Sequence, residues 1–546
     1  MNLGKVACSV VAVLLAAGAA IRAEDAAPPE KPVVLLPGLG NLHHTIKTRS
    51  PEAQQFFDQG LTLVYGFNHD EAIRSFRRAA ELDPDAVMPL WGIGYALGPN
   101  INMDVDPERE KAAFEATQKA LKGAKDSPDD ERAYVKALGK RYSADPKADL
   151  KRLAADFADA MKDLSEAFPD DLDAATLYAE SLMDLNPWKL WDNDGKPAEG
   201  TEEIVAVLER VLSRDPLHVG ANHYYIHAVE ASPWPERALP SAARLEKLVP
   251  SAGHLVHMPA HIYMRTGFYD AAAKSNAQAV RADEAYIKAY GVQGVYPLMY
   301  YNHNLDFLAA AASMEGRYGE AKKAAERSAA NVAPAVKDMP MAEYLLSRPL
   351  EMDLRFAQWS SVLKAPEPAE TLPTSRALWH FARGVTLAAK GDASGADKER
   401  QGFTEQSAKV PEDAVWGLNA SRAVLEVAKW SLDARIAAAQ KDGQGAIAAW
   451  TQAVDAQDRL SYDEPPPWYY PVRESLGAAL FRAGRKDEAE KVFREDLARN
   501  PRNPRSLYGL WESLKAQKKT ADAVWVRRAF QEAWKNSEIE VRMEDL

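Results

Sequence analysis

The chain has 546 residues, of which 67 are basic and 79 are acidic, so its net charge at pH 7 is −12. A single core rarely extends over this length, whereas an array of units that each pack on their neighbours does. The charges form no basic stripe, and no Walker loop, dinucleotide fingerprint or nucleophile elbow occurs. These absences argue against nucleic acid as a partner and against a nucleotide cofactor.

The segment 1–23 has the pattern of a signal peptide. Lys5 precedes a short apolar run from Val6 to Ile21, and small residues offer cleavage after Ala19 or Ala23. A retained anchor needs about 20 apolar residues and firmer flanks. We therefore expect an exported protein, periplasmic or secreted, with no stable membrane anchor after cleavage.

The cysteine content limits the chemistry of the mature chain. The only cysteine, Cys8, lies inside the signal-like segment, so any metal must be held by nitrogen and oxygen atoms.

The segment 24–50 contains four prolines and is predicted to be an extended leader with little function.

Similarity with a period near 34 residues recurs from about residue 53 to the C-terminus. The first unit reads FFDQGLTLVYGFNHDEAIRSFRRAAELDP, in which small residues let two antiparallel helices approach and a proline ends the second helix. The clearest pattern positions in the first unit and in a C-terminal unit are Phe56, Gly60, Leu63, Ala72, Phe76, Ala79, Pro84, Gly477, Leu480, Ala489, Phe493 and Pro501.

With these residues the chain resembles the tetratricopeptide-repeat family. The resemblance implies an all-α, right-handed solenoid of antiparallel helix pairs, whose first helices line a concave binding surface. We predict an N-terminal array over 51–335, with a histidine-rich groove, and a C-terminal array over 336–546. Segments 186–200 and 287–301 are predicted to be insertions.

Five of the eleven histidines fall between residues 223 and 261. His223 and His227 are four residues apart, hence on one face of a helix, and His257 and His261 repeat this spacing 34 residues later. In the repeat frame both pairs occupy equivalent positions, which the resemblance places toward the groove. Glu230 lies near the first pair.

These residues predict a transition-metal site. Packed helices lie roughly 8–10 Å apart, so imidazoles of neighbouring units can meet around one ion. Our candidate ligands are His223, His227, His257, His261 and Glu230. Imidazole and carboxylate without thiolate suit zinc, copper, iron or nickel, and we favour copper or zinc; a dinuclear arrangement stays open.

Two other interpretations of the histidines stay open, namely a groove that binds a peptide or a small acid without metal, and simple packing with neighbouring tyrosines. Pro259 is comfortable only in a first helical turn, which predicts a helix start at the second pair and favours an anionic ligand there. The candidate ligand-groove residues are His254, His303, Tyr225, Tyr263 and Trp468, the last from an acidic and aromatic stretch before the final clear repeat.

Two classes of function follow. The first is an exported repeat protein that binds a peptide, a protein or a small anionic ligand in its concave groove, together with a transition metal. The second is a metal-dependent enzyme, a hydrolase or an oxidoreductase, with Glu230 or Tyr225 as the first acid–base candidate. We favour binding, because the sequence contains no recognised catalytic motif.

Overall fold

The computed structural model describes residues 32–546, and the predicted signal peptide lies outside them. The described chain is all-α apart from one short hairpin, as the repeat pattern predicts. From residue 51 to 298 the helices are α1 (Pro51–Tyr65), α2 (His69–Leu82), α3 (Met88–Ala96), α4 (Pro107–Gly123), α5 (Asp129–Leu138), α6 (Leu150–Ala167), α7 (Leu172–Met183), α8 (Thr201–Arg214), α9 (Val219–Glu230), α10 (Leu239–Leu248), α11 (Gly253–His257), α12 (Pro259–Thr266), α13 (Tyr269–Tyr290) and α14 (Val295–Leu298).

The remaining helices continue the pattern of pairs. They are α15 (Tyr300–Met314), α16 (Tyr318–Val332), α17 (Glu343–Arg355), α18 (Trp359–Lys364), α19 (Pro373–Ala389), α20 (Ala393–Ser407), α21 (Ser421–Ala439), α22 (Gly443–Asp458), α23 (Arg473–Arg482), α24 (Lys486–Arg499), α25 (Pro504–Ala516) and α26 (Thr520–Ala533). Strands β1 (Val415–Trp416) and β2 (Asn419–Ala420) pair antiparallel before α21. Gly417, with φ of +60°, permits the tight turn between them.

The glycines and aromatic residues of the repeat pattern pack between neighbouring helices. In the first unit of the pattern, a Cβ atom on Gly60 or Gly92 would come within 2.7 Å of the Phe76 ring. The same arrangement recurs near the C-terminus, where a Cβ atom on Gly477 or Gly509 would come within 2.6 Å of the Phe493 ring. Small residues on first helices therefore accept one aromatic ring from each second helix.

The chain divides into two compact units. The first runs to Ile262 and also takes in Gln278–Tyr301, and the second comprises Tyr263–Ala277 and Asn302–Leu546. The boundary between the two arrays predicted from the sequence lies instead after residue 335. The second unit has a continuous apolar core that includes the buried rings of Phe381, Trp416 and Trp450.

Three segments outside the repeat pattern belong to the first unit. Residues 32–50 of the predicted leader contain no helix or strand, yet Gln59 of α1 accepts a hydrogen bond from Leu36 N and donates one to Val34 O. The predicted insertion 186–200 is a loop between α7 and α8, whereas 287–301 contains α14 and the ends of α13 and α15. Residues 32–50 of the predicted leader are therefore part of the packed structure.

In the described residues, we find no helix that combines the length and the apolar character needed to cross a bilayer.

Candidate metal centre

Helix α9 carries the first histidine pair. It begins at Val219, and the His218 ring caps it by accepting a hydrogen bond from Ala221 N at 3.1 Å. His223 and His227 lie on one face of this helix, one turn apart, and both side chains are buried. At this spacing both rings lie beside His254.

A break between two short helices places the other three histidines. Helix α11 ends at His257 and α12 begins at Pro259, which confirms the predicted helix start. Proline has no N–H to donate, so it is tolerated at this first position of a helix. His254, His257 and His261 are all buried around this break.

The structure brings His223, His227 and His254 together. One ring nitrogen from each lies within 4.8 Å of the others. The Nε2 atoms of His223 and His254 are 3.2 Å apart, and the ring centroids of His223 and His227 are 4.9 Å apart. Three imidazoles from two neighbouring repeats therefore converge on one point.

Hydrogen bonds fix which nitrogen faces that point. His223 Nδ1 lies 2.6 Å from the carbonyl oxygen of Tyr65, which can only accept, so Nδ1 carries the proton and Nε2 keeps its lone pair. His227 Nδ1 lies 2.7 Å from Glu230 Oε1, while its buried Nε2 has no hydrogen-bond partner among the described residues. Both rings thus offer Nε2 for coordination.

Glu230 joins the triad to a second imidazole pair. Its two carboxylate oxygens bind His227 Nδ1 and His261 Nδ1, and His261 Nε2 lies 2.8 Å from His257 Nε2. Burial alone would raise the pKa of Glu230, but the charges and hydrogen bonds of His261 and His227 outweigh it and hold the pKa below its usual range. Glu230 is therefore an ionised acceptor that orients two rings.

The surroundings of the triad favour the neutral form of the His223 and His227 imidazoles. Burial lowers the pKa of His223 well below its ordinary value and also lowers that of His227. The Phe67 ring packs against His223 at 4.7 Å, Trp188 meets His227 edge-on at 5.6 Å, and Tyr300 meets His254 at 5.0 Å. Neutral imidazoles in an apolar shell are the form in which histidine binds metals.

The five predicted metal ligands do not all surround one point in the structure. His223 and His227 belong to the triad, His257 and His261 form the neighbouring pair, and Glu230 connects the two groups. His254, which the sequence analysis assigns to the ligand groove, supplies the third imidazole of the triad. It does so because α11 is a short helix whose first turn faces α9.

The other predicted groove residues lie in different surroundings. Tyr225 is directed toward α8, where its hydroxyl donates to Glu209 Oε1 at 2.5 Å. Trp468 is buried in the core of the second unit against Phe381. Tyr263 and His303 also belong to the second unit, and they pack against Phe268 and Phe307 respectively.

Three residues that shape the centre carry no obvious signal in the sequence. Tyr65 contributes a backbone carbonyl, which any residue type supplies. Phe67 reaches the triad because its backbone adopts φ of +53° in the turn before α2, a conformation unusual for a residue with a Cβ atom. Trp188 is delivered by the segment 186–200, which is predicted from the sequence to be an insertion.

Comparisons with known proteins return similar solved structures only, since no known family model and no curated protein matches the chain. A human IFIT1 dimer with m7Gppp-AAAA is 13% identical, with a TM-score of 0.34 and coverage of 89% of this chain and 91% of that one. Yeast Tom70 is 12% identical, with a TM-score of 0.30 and coverage of 88% and 90%. The P58(IPK) TPR domain is 10% identical, with a TM-score of 0.21 and coverage of 86% and 99%. TM-scores this low transfer no ligand or activity to this chain.

Proposed function

We propose that this protein is an exported helical repeat protein that binds a transition-metal ion through Nε2 of His223, His227 and His254. Export rests on the signal-like segment 1–23. The metal rests on one observation above all, the 3.2 Å separation of the His223 and His254 Nε2 atoms in a buried site.

That separation is the one that metal ligation requires. With metal–nitrogen bonds near 2.0–2.1 Å, two nitrogens on a tetrahedral ion lie roughly 3.3 Å apart. His223 Nδ1 holds its proton for the Tyr65 carbonyl, so its Nε2 presents a lone pair to His254. A cation between the rings would replace this contact between two nitrogens with two metal–nitrogen bonds.

The donor set favours zinc or copper. Three neutral imidazoles with no thiolate suit these ions better than the hard ions calcium and magnesium. Glu230 fits the role of a positioning residue, because a carboxylate that accepts from Nδ1 of a ligating histidine orients the ring and raises its basicity.

Three protein donors leave the fourth position of a four-coordinate ion to another ligand. A small anion is the ligand that a positive, buried centre of this kind attracts. We infer that the ion and a small anionic ligand bind together, and that a peptide or protein partner in the predicted groove is a separate property of the repeat array.

The alternative of a metal-dependent hydrolase or oxidoreductase draws support from the same fourth position. It lacks an acid–base group, however, in the places where the sequence analysis expects one. Both Glu230 oxygens accept hydrogen bonds from histidines, and the Tyr225 hydroxyl donates to Glu209. We therefore favour binding over catalysis.

The test is a titration of untagged protein with Co²⁺ and Zn²⁺, followed by d–d absorption and elemental analysis. We expect one tightly bound equivalent at the triad in the wild type, and His227→Ala to weaken binding by at least about 100-fold. The matched control is His380→Ala in the second unit, because His380 Nδ1 also lies 2.7 Å from a carboxylate oxygen, that of Glu399. Equal metal binding by the two variants would overturn the proposal.

A further inference from the structure

The second unit contains a cavity of about 270 Å³ whose wall is unusually rich in arginine. Arg355, Arg435, Arg505 and Arg542 all line it. The rest of the wall is mainly aromatic or aliphatic, including the rings of Trp450, Phe381 and Tyr470, and it also contains the acidic residues Glu544 and Asp545. An apolar pocket with a few convergent polar groups is the usual form of a small-molecule site.

The arginines differ in how their charge is balanced. Arg355 forms a buried pair with Glu474 through both terminal nitrogens, and Arg542 pairs with Asp545. Arg505 has no carboxylate within ion-pair distance in the part of the chain that the structure describes, although its side chain is only 2% exposed. Arg505 is therefore a buried cation without an ion-pair partner there, although the charges of Glu474 and Asp545 still act on it.

The hydrogen bonds of Arg505 confirm this imbalance. Its two terminal nitrogens donate to main-chain oxygens, those of Asp545 at 3.1 Å and Arg355 at 2.9 Å. Within residues 32–546 its Nε has no hydrogen-bond partner. Burial and the charge of Arg355 lower the pKa of Arg505 to about 9. A buried guanidinium with a spare donor is stabilised by an anion.

The neighbouring groups would add to such an anion site. Arg505 is the second residue of α25, where the partial positive charge of the helix start favours an anion. Arg435 reaches the same cavity and donates to the main-chain oxygen of Leu546 at 3.1 Å. The main-chain oxygens of Asp545 and Leu546 thus accept hydrogen bonds from Arg505 and Arg435, as the oxygens of a bound anion would.

We propose that this cavity binds a small organic oxyanion, a carboxylate or a phosphate on an apolar body, with Arg505 as its principal contact. Arg435 assists, and the aromatic wall holds the apolar body. The site lies wholly within the second unit and is independent of the metal centre in the first.

The experiment is isothermal titration of the full chain with benzoate, phenyl phosphate and inorganic phosphate, with benzamide as the neutral analogue of benzoate. We expect benzoate or phenyl phosphate to bind at least tenfold more tightly than benzamide, and Arg505→Gln to remove this preference. The control is Arg485→Gln, because Arg485 is an exposed arginine paired with Glu488. The benzoate and phenyl phosphate arms distinguish the two acid groups.

Two results would overturn the proposal. The first is that benzamide binds as well as the acids, or that none of the probes binds, in the wild type; this arm holds even if Arg505→Gln does not fold. The second is an unchanged preference for the acids in a folded Arg505→Gln variant. Metal removal leaves both readouts unchanged, so failure here is distinct from failure of the metal proposal.

Discussion

The first unit contains two buried histidine networks, and they differ in what their imidazoles face. In one, which we call the Asp173 network, His44, His218, Tyr65 and Tyr134 surround Asp171 and Asp173. His44 Nδ1 lies 2.8 Å from one oxygen of Asp173, and the Tyr65 hydroxyl donates to the other at 2.5 Å. In the other, the triad of His223, His227 and His254, imidazole nitrogens face one another.

The difference separates a structural network from a candidate functional one. In the Asp173 network each imidazole has a carboxylate, so hydrogen bonds satisfy both partners and the charges balance. In the triad, His223 Nε2 faces the Nε2 atom of another histidine, and His227 Nε2 has no hydrogen-bond partner among the described residues. Burial of a histidine therefore does not by itself distinguish a structural role from metal binding. The atoms that its ring nitrogens face make that distinction.

Tyr65 connects the two networks. Its hydroxyl donates to Asp173, and its carbonyl accepts from His223 Nδ1. A substitution that removes only the Tyr65 hydroxyl therefore alters the Asp173 network and leaves the hydrogen bond to His223 in place.

Between the two networks, the largest effect that we expect is a loss of metal affinity when Glu230 is replaced. Glu230→Gln keeps the size of the side chain but presents an NH₂ group to one of the two histidines, which disturbs ring orientation. We expect the affinity for Zn²⁺ to fall by roughly 10- to 100-fold with one equivalent still bound. Competition with a chromophoric chelator measures this, and an unchanged affinity would contradict a positioning role.

Removal of His44 tests the structural network and its dependence on pH. Burial lowers the pKa of His44, but the hydrogen bond and charge of Asp173 outweigh it and raise the pKa to about 9. Because the folded pKa lies above the ordinary 6.5, this stabilisation is full below pH 6.5 and is lost as the pH rises through 9.

We expect His44→Gln to lower the free energy of unfolding by about 1.5 kcal/mol at pH 6 and by much less at pH 9.5. Denaturant titrations at both pH values measure the difference. His43→Gln is the control, since His43 is exposed. A penalty for His44→Gln that stays the same from pH 6 to 9.5 would show that the charge of His44 does not contribute.

The smallest effect separates the two halves of Tyr65. Tyr65→Phe removes the hydroxyl bonded to Asp173 and leaves the carbonyl bonded to His223. We expect a loss of about 1 kcal/mol in the free energy of unfolding, with zinc affinity unchanged within about twofold. A drop in affinity comparable to that of Glu230→Gln would show that the two networks are not separable.

Much of this arrangement follows from the sequence. The repeat frame places the two histidine pairs at equivalent positions of successive units, and Pro259 gives the start of α12. Helical spacing places His223 beside His227. The choice of His254 over His257 as the third imidazole depends on the rotation of α11 against α9, which side-chain packing sets and no spacing rule contains. The contribution of Trp188 depends likewise on the path of a loop.

The most direct test of the central claim is an anomalous-difference map from crystals of zinc-loaded protein, recorded at the zinc absorption edge. Our account predicts a peak about 2.0–2.1 Å from the Nε2 atoms of His223, His227 and His254. Full zinc loading in solution with no peak at these three atoms, or with peaks only at exposed residues, would contradict it.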